Sequence, residues 1–252
     1  MSEITTQAED GILVITINRP QARNAVNRAV AEGMAAAMDE LDGNAELRVG
    51  IITGAGGTFC SGMDLKAFLT GELPVVKGRG FCGFAESPPK KPLIAAVDGY
   101  ALAGGMEVAL TCDLIVANAN AQFGIPETKR GLAAAAGGLM RLPRQVPPRI
   151  AMELALTGDF ISAQRAYEIG FVNRVVETPA IDGALELARK ISANGPLAVQ
   201  VSKQIISESR NWSDEEMWTR QQAYVAPVLV SHDAREGAAA FAQKRAPLWQ
   251  GK

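Results

Sequence analysis

The sequence predicts an α/β fold whose strands are covered on both faces. Short β-branched runs alternate with stretches at helical spacing, the arrangement of βα units. The strand runs are apolar throughout, as in buried parallel sheets. The 252 residues are 48% hydrophobic and 21% charged, enough to bury one large core, with or without a helical appendage.

Residues 12–17 (Ile-Leu-Val-Ile-Thr-Ile) read as a strand ended by the breaker Asn18-Arg19-Pro20. Between Val26 and Leu41, the side chains Val30, Met34, Ala37, Met38 and Leu41 recur at helical spacing. Val49–Thr53 is a second strand, closed by Gly54-Ala55-Gly56-Gly57, and Leu93–Val97 a third, closed by Asp98-Gly99. A fourth runs over Leu114–Ala117. Residues 71–92 carry eight glycines and prolines, including Gly78, Gly80, Gly83 and Pro88-Pro89, which break any regular element. A segment of that length and character inside a compact domain is usually a functional lid or disordered. Beyond Val176 the pattern is almost wholly helical, with helices expected over 182–193, 196–209, 214–228 and 233–245, each opening near Asp or Pro. Their apolar faces predict a helical region that packs on something else, another subunit included.

Composition narrows the function classes. With 25 Lys+Arg against 27 Asp+Glu the formal net charge is −2, which argues against a nucleic-acid or acidic-membrane binder. His232 is the single histidine, so Ser-His-Asp and Cys-His hydrolase sites and most zinc sites would hang on one residue. Cys60, Cys82 and Cys112 are odd in number and form no CxxC pair, which fits a reducing compartment. No basic and apolar leader is visible, and Asp98, Glu107 and Asp113 interrupt the most apolar tract, Leu93–Ala117. The expectation is a soluble cytoplasmic protein without a membrane span.

Two nucleotide motifs fail on their residues. A GxGxxG beginning at Gly54 needs glycine where Phe59 stands, and a Walker A run from Gly57 meets Met63-Asp64 after Gly62. The run Gly99-Tyr-Ala-Leu-Ala-Gly104-Gly105-Met-Glu107 is more informative, because a strand passes through small residues into a helix starting near Gly104. First-turn amides have no internal acceptor and carry the positive dipole end, so they suit an anion. Glu107 lies one turn further on a helix that is apolar on every side. It is open to two readings: a first-turn acid complementing the dipole, or a buried carboxylate kept for use. Glu127, after Pro126, is open to the same two, as a helix-start acid or the second member of an acid/base pair. Asp64 and Asp98 read as a helix N-cap and an Asp-Gly turn, and Cys60 and Cys112 as packing residues. Lys90-Lys91, Lys129-Arg130 and Lys244-Arg245 read as solvated faces unless an anionic ligand lies nearby.

Taken together, Asn18-Arg19-Pro20…Asn24-Ala25, Thr58-Phe-Cys-Ser-Gly-Met-Asp-Leu-Lys66 and Lys91-Pro-Leu-Ile-Ala-Ala-Val-Asp-Gly-Tyr-Ala101…Gly104-Gly105…Glu107 resemble the crotonase, or enoyl-CoA hydratase/isomerase, superfamily. So do Cys112-Asp113, Phe123…Pro126-Glu127, Gly137-Gly138, Leu156-Thr157-Gly158 and Phe241…Lys244-Arg245, nearly end to end and in the family's order. The resemblance implies a crotonase-like spiral of stacked ββα units over residues 1–195 and a C-terminal helical oligomerisation region over 196–252, forming a homotrimer or dimer of trimers. It implies an acyl-CoA thioester substrate, with coenzyme A as part of that substrate, and no metal or other cofactor. The family's oxyanion-hole amides fall on Met63 and Gly104, and its two hydratase carboxylates on Glu107 and Glu127. By the same resemblance Ser61, Met63 and Leu65 offer backbone groups to the CoA adenine. Arg23, Lys66 and a neighbouring subunit's copy of Lys244 would meet its phosphates, and Phe81, Phe84 and Ala135 the acyl chain. The family often has Pro-Gly-Ala-Gly-Gly beside the water site; Ala134-Ala135-Ala136-Gly137-Gly138 stands here, so the Ala135 methyl bears on substrate choice. Hydration of a 2-enoyl-CoA is the reaction implied. Other family reactions (dehydration of a carnitinyl-type acyl-CoA, isomerisation, thioester hydrolysis) and a non-catalytic RNA-binding role are the alternatives.

Overall fold

The computed structural model describes residues 2–252. The chain opens with a hairpin, β1 (Ile4–Glu9) and β2 (Ile12–Ile17), turning at Asp10-Gly11, followed by α1 (Arg28–Gly43) and β3 (Val49–Gly54). Then come α2 (Leu65–Leu69), a two-residue hairpin of β4 (Val75–Val76) and β5 (Gly80–Phe81), β6 (Leu93–Val97), β7 (Tyr100–Leu102) and α3 (Gly104–Thr111). Next are β8 (Leu114–Asn118), β9 (Gln122–Gly124), a 3-10 turn over Pro126–Arg130, α4 (Gly138–Gln145) and α5 (Pro148–Thr157). The chain continues through β10 (Ile161–Ser162), α6 (Ala163–Glu168), β11 (Arg174–Val176) and α7 (Ala180–Ser192). It finishes with α8 (Pro196–Glu208), α9 (Met217–Leu229) and α10 (His232–Ala242).

Strands β1-β2-β3-β6-β8-β11 form one sheet in that order, parallel except for the β1–β2 hairpin; β10-β9-β7 form a second. Consecutive strands therefore change sheets, β6 to β7 and β8 to β9, each pair followed by helix. This alternation is the spiral of ββα units, and it separates the fold from a doubly wound sheet. Because side chains alternate along a strand, β2, β3, β6 and β8 feed two cores. Leu13, Ile15, Ile52, Ala95 and Ile115 join the cluster containing α1, α3 and the second sheet. Ile12, Ile51, Ile94 and Val116 meet Ala180, Ala184 and Ala188 of α7 on the other face.

Local chemistry accounts for the element boundaries. Asn27 caps α1 by accepting the Val30 N–H at 2.9 Å, and Asp64 caps α2 by accepting those of Lys66 and Ala67. Lys91 departs from its expected solvated place. Its buried ammonium donates to the Leu41 and Asn44 carbonyls at 2.8 and 2.7 Å, satisfying the end of α1. Residues 71–92 are also not a free lid, since Cys82, Phe84 and Ala85 are buried and β4 pairs with β5. The C-terminal helices form where expected, but α8 and α9 bury no residue completely, and Trp218, Val230 and Phe241 are largely exposed.

Candidate active site

Three segments running from the second sheet meet around a cavity of about 770 Å³. The first, Cys60–Lys66, leaves an isolated parallel bridge in which Cys60 bonds to Tyr100 and Leu102. A second bridge joins Val26 to Met63: the Val26 N–H donates to the Gly62 carbonyl and the Asp64 N–H to the Val26 carbonyl. In a parallel ladder those bonds come from the residues flanking Met63, so its own N–H points the opposite way.

The second segment ends β7 and begins α3. Ala103 sits at φ 51°, ψ −128°, a costly conformation for a residue with a Cβ, held by its amide bonding to the Gly124 carbonyl. Gly104, the first residue of α3, lines the cavity, and as a first-turn amide its N–H has no intrahelical acceptor. Two glycines allow this helix start to touch the first segment. A Cβ at Gly105 would collide with the Cys60 carbonyl, and one at Gly62 would lie 3.0 Å from the Gly104 nitrogen. The segment carrying Met63 is thereby packed against the start of α3, and both Met63 and Gly104 line the cavity.

Glu107, on the first turn of α3, is only 3% exposed and lines the cavity. Its Oε1 accepts the Gly138 N–H at 2.8 Å. Burial pushes its proton affinity up, and the amides of Gly138 and Ala136 together with the Arg141 charge oppose that rise. Glu127, in the Pro126–Arg130 turn, is 8% exposed and lines the same cavity. Its Oε2 has no hydrogen-bond partner. Burial, partly offset by its own backbone amide, raises its pKa to about 7; the Glu107 charge adds to the rise and Arg130 opposes it. One carboxyl is therefore anchored by donors and the other is poised to hold a proton.

Of the residues expected around CoA and the acyl chain, Arg23, Ser61, Met63, Leu65, Lys66, Phe81 and Ala135 all line the cavity. A Cβ at Gly104 would run into the Phe81 ring, so that ring lies over the helix start. Phe84 is a correction: it is fully buried in the main core and absent from the cavity wall. It follows Gly83 into the interior and anchors the loop that presents Phe81. Lys244 lies exposed near the C-terminus, outside the cavity lining. Sequence reasoning missed Arg19, which lines the cavity and pairs with Asp64 at 3.0 Å and Glu3 at 3.1 Å. It also missed Arg130 and Phe160 in the wall, and the Ala136 and Gly138 amides that serve Glu107. Only the Lys129-Arg130 pair had signalled such a cation. Among the described residues, no group of three or more His, Cys, Asp or Glu side chains is placed to hold a metal ion.

This geometry can be set beside known proteins. The family model for enoyl-CoA hydratase/isomerase matches residues 7–252. The chain belongs to that family. An enoyl-CoA hydratase of Mycobacterium tuberculosis is 42% identical over 252 residues, covering 95% of this chain and 93% of that protein. A carnitinyl-CoA dehydratase of Proteus mirabilis is 41% identical over 250 residues, covering 96% and 95%. Among solved structures, an enoyl-CoA hydratase from M. tuberculosis superposes with a TM-score of 0.98 at 59% identity, covering 100% of both chains. Family membership brings the crotonase fold and a CoA thioester substrate. No helix among the described residues is long and apolar enough to cross a membrane.

Proposed function

We propose that this protein is an enoyl-CoA hydratase, a carbon–oxygen lyase that reversibly adds water to a 2-enoyl-CoA to give the 3-hydroxyacyl-CoA. The observation that carries the reading is the pair of buried carboxyls of unequal proton affinity facing a cavity beside the Met63 and Gly104 amides. The thioester oxygen accepts both N–H groups, which favour the enolate-like charge that grows there as water attacks the β-carbon; one such donor is worth about 3 kcal/mol. Glu107 takes the proton from the attacking water, whose oxygen bonds to the β-carbon. Glu127, protonated beforehand, gives its proton to the α-carbon. The hydroxyl and hydrogen added across the double bond sum to one water, and solvent exchange returns the proton from Glu107 to Glu127.

In this reading the CoA moiety lies along Ser61, Met63 and Leu65, its phosphates near Arg23, Lys66 and a neighbouring subunit's Lys244. No resident cofactor takes part. The exposed apolar side chains of α9 and α10 support assembly as a homotrimer or a dimer of trimers, and the three unpaired cysteines support a cytoplasmic location. Light scattering tests the assembly, and a well-behaved monomer would contradict it. Several carnitinyl-CoA dehydratases among the relatives support a second reading, in which the same site runs toward water loss from a 3-hydroxyacyl-CoA. Incubating the purified protein with a panel of acyl-CoAs and weighing the products separates the two. A 2-enoyl-CoA should gain the mass of one water. Turnover of a carnitinyl thioester alone, with no hydration of simple enoyl chains, would favour the dehydratase.

A further inference from the structure

We infer that Arg141 is a positioning residue for this reaction: its guanidinium ties the loop that holds Glu107 to the loop that presents Phe81, and so keeps Glu107 as the base of the pair. The inference rests on the hydratase reading above. Arg141 lies in the first turn of α4. Its Nη1 donates to the Ala136 carbonyl at 3.3 Å and its Nη2 donates to the Ala85 carbonyl. The two acceptors belong to separate segments, the stretch around Ala135 and the anchored segment that follows Phe81. Between Ala136 and Gly138 the backbone passes through Gly137 at φ +110°, where a Cβ would collide with Nη1. The guanidinium thus lies against bare backbone, flanked by the two residues whose amides serve Glu107. A rigid planar fork is suited to bridging two carbonyls in this way, and a lysine head is not.

The charges around the pair sort themselves by wall. On Glu107's own helix the next ionisable group inward is the buried Cys112, which faces Arg141. From α4, Arg141 bears directly on Glu107, with Arg144 beside it. From the Pro126–Arg130 turn come Glu127 and the cation that bears on it, Arg130. Glu107 therefore has a cation and two amides favouring its ionised form, whereas Glu127's Oε2 has no partner. Removing Arg141 takes away the cation, which raises the proton affinity of Glu107, and loosens the loop beside it, which costs turnover.

The test is the pH dependence of kcat/KM for 2-butenoyl-CoA hydration by wild type, Arg141→Met, Arg141→Gln and Arg141→Lys, with circular dichroism fixing the folded fraction. The Met and Gln variants should lose roughly 10–100-fold in kcat, with KM changed by less than about threefold. Their acidic limb should move to higher pH by roughly one unit. Lys, keeping the charge without the bridge, should hold the acidic limb near that of wild type while kcat stays depressed. Acidic limbs that superimpose on wild type in the neutral variants, or activity lost only in proportion to folded protein, would overturn the inference. If the Met variant does not fold, Gln carries the same expectation. If only Lys folds, a displaced limb or full kcat in that variant overturns it. A wild-type protein that does not hydrate the substrate defeats the hydratase reading; hydration that depends on Glu107 with limbs indifferent to Arg141 defeats this inference alone.

Discussion

The two walls that supply the carboxyls solve opposite problems. Glu107 is carried by a helix and gripped by the loop across from it, so its orientation is settled before substrate arrives. Glu127 stands on a 3-10 turn after Pro126 with one oxygen unpartnered, so its environment favours the neutral acid. In the proposed mechanism these unequal surroundings are what would let two identical side chains divide the roles of base and acid at one pH.

The largest expected effect comes from removing either role. Glu107→Gln and Glu127→Gln should each lower hydration kcat by roughly 10²–10⁴-fold, with CoA binding by calorimetry retained. If one variant kept wild-type turnover, the division of labour would collapse. Next is the amide pair that both walls serve. Gly105→Ala pushes a methyl into the Cys60 carbonyl and should separate the Met63 and Gly104 amides, costing about 10²–10³-fold in kcat. A smaller effect is the alkaline limb of kcat/KM. Glu127 must be protonated to act, so activity should fall as pH rises through about 7. A profile flat from pH 6 to 9 would remove Glu127 as the acid. The smallest effect is on stability. A carboxyl whose pKa rises on folding contributes stability below its unfolded value that is lost as pH climbs through the folded one. Thermal melts should therefore find Glu127→Gln above wild type by about 2–4 °C at pH 8 and by less at pH 5.

How much of this was legible in the sequence varied with the physical signal. Apolar β-branched runs marked β2, β3, β6 and β8, and the small-residue passage into Glu107 marked the start of α3 within a residue. β1 escaped because it lies at the sheet edge with only Ile4 buried, which leaves no apolar pattern to read. Lys91 and Phe84 went astray for a related reason: each lies in or beside a Gly/Pro-rich stretch, where local composition says exposed while a long-range contact says buried. The spiral rather than a doubly wound sheet was out of reach of periodicity, since β7 and β9 are three residues each. In the site, motif positions pointed to Glu107, Glu127, Met63 and Gly104, and the fold brings all four to one cavity. Arg141, Arg19 and the strained Ala103 had no such signal, because their roles come from backbone carbonyls and turns brought together only by the fold.

The most direct measurement is a crystal structure of the Glu107→Gln variant with a 2-enoyl-CoA bound. The thioester oxygen should lie about 2.7–3.1 Å from the Met63 and Gly104 nitrogens, with the substituted side chain beside the β-carbon and Glu127 beside the α-carbon. A thioester oxygen bound elsewhere, or a double bond out of reach of either side chain, would contradict the account.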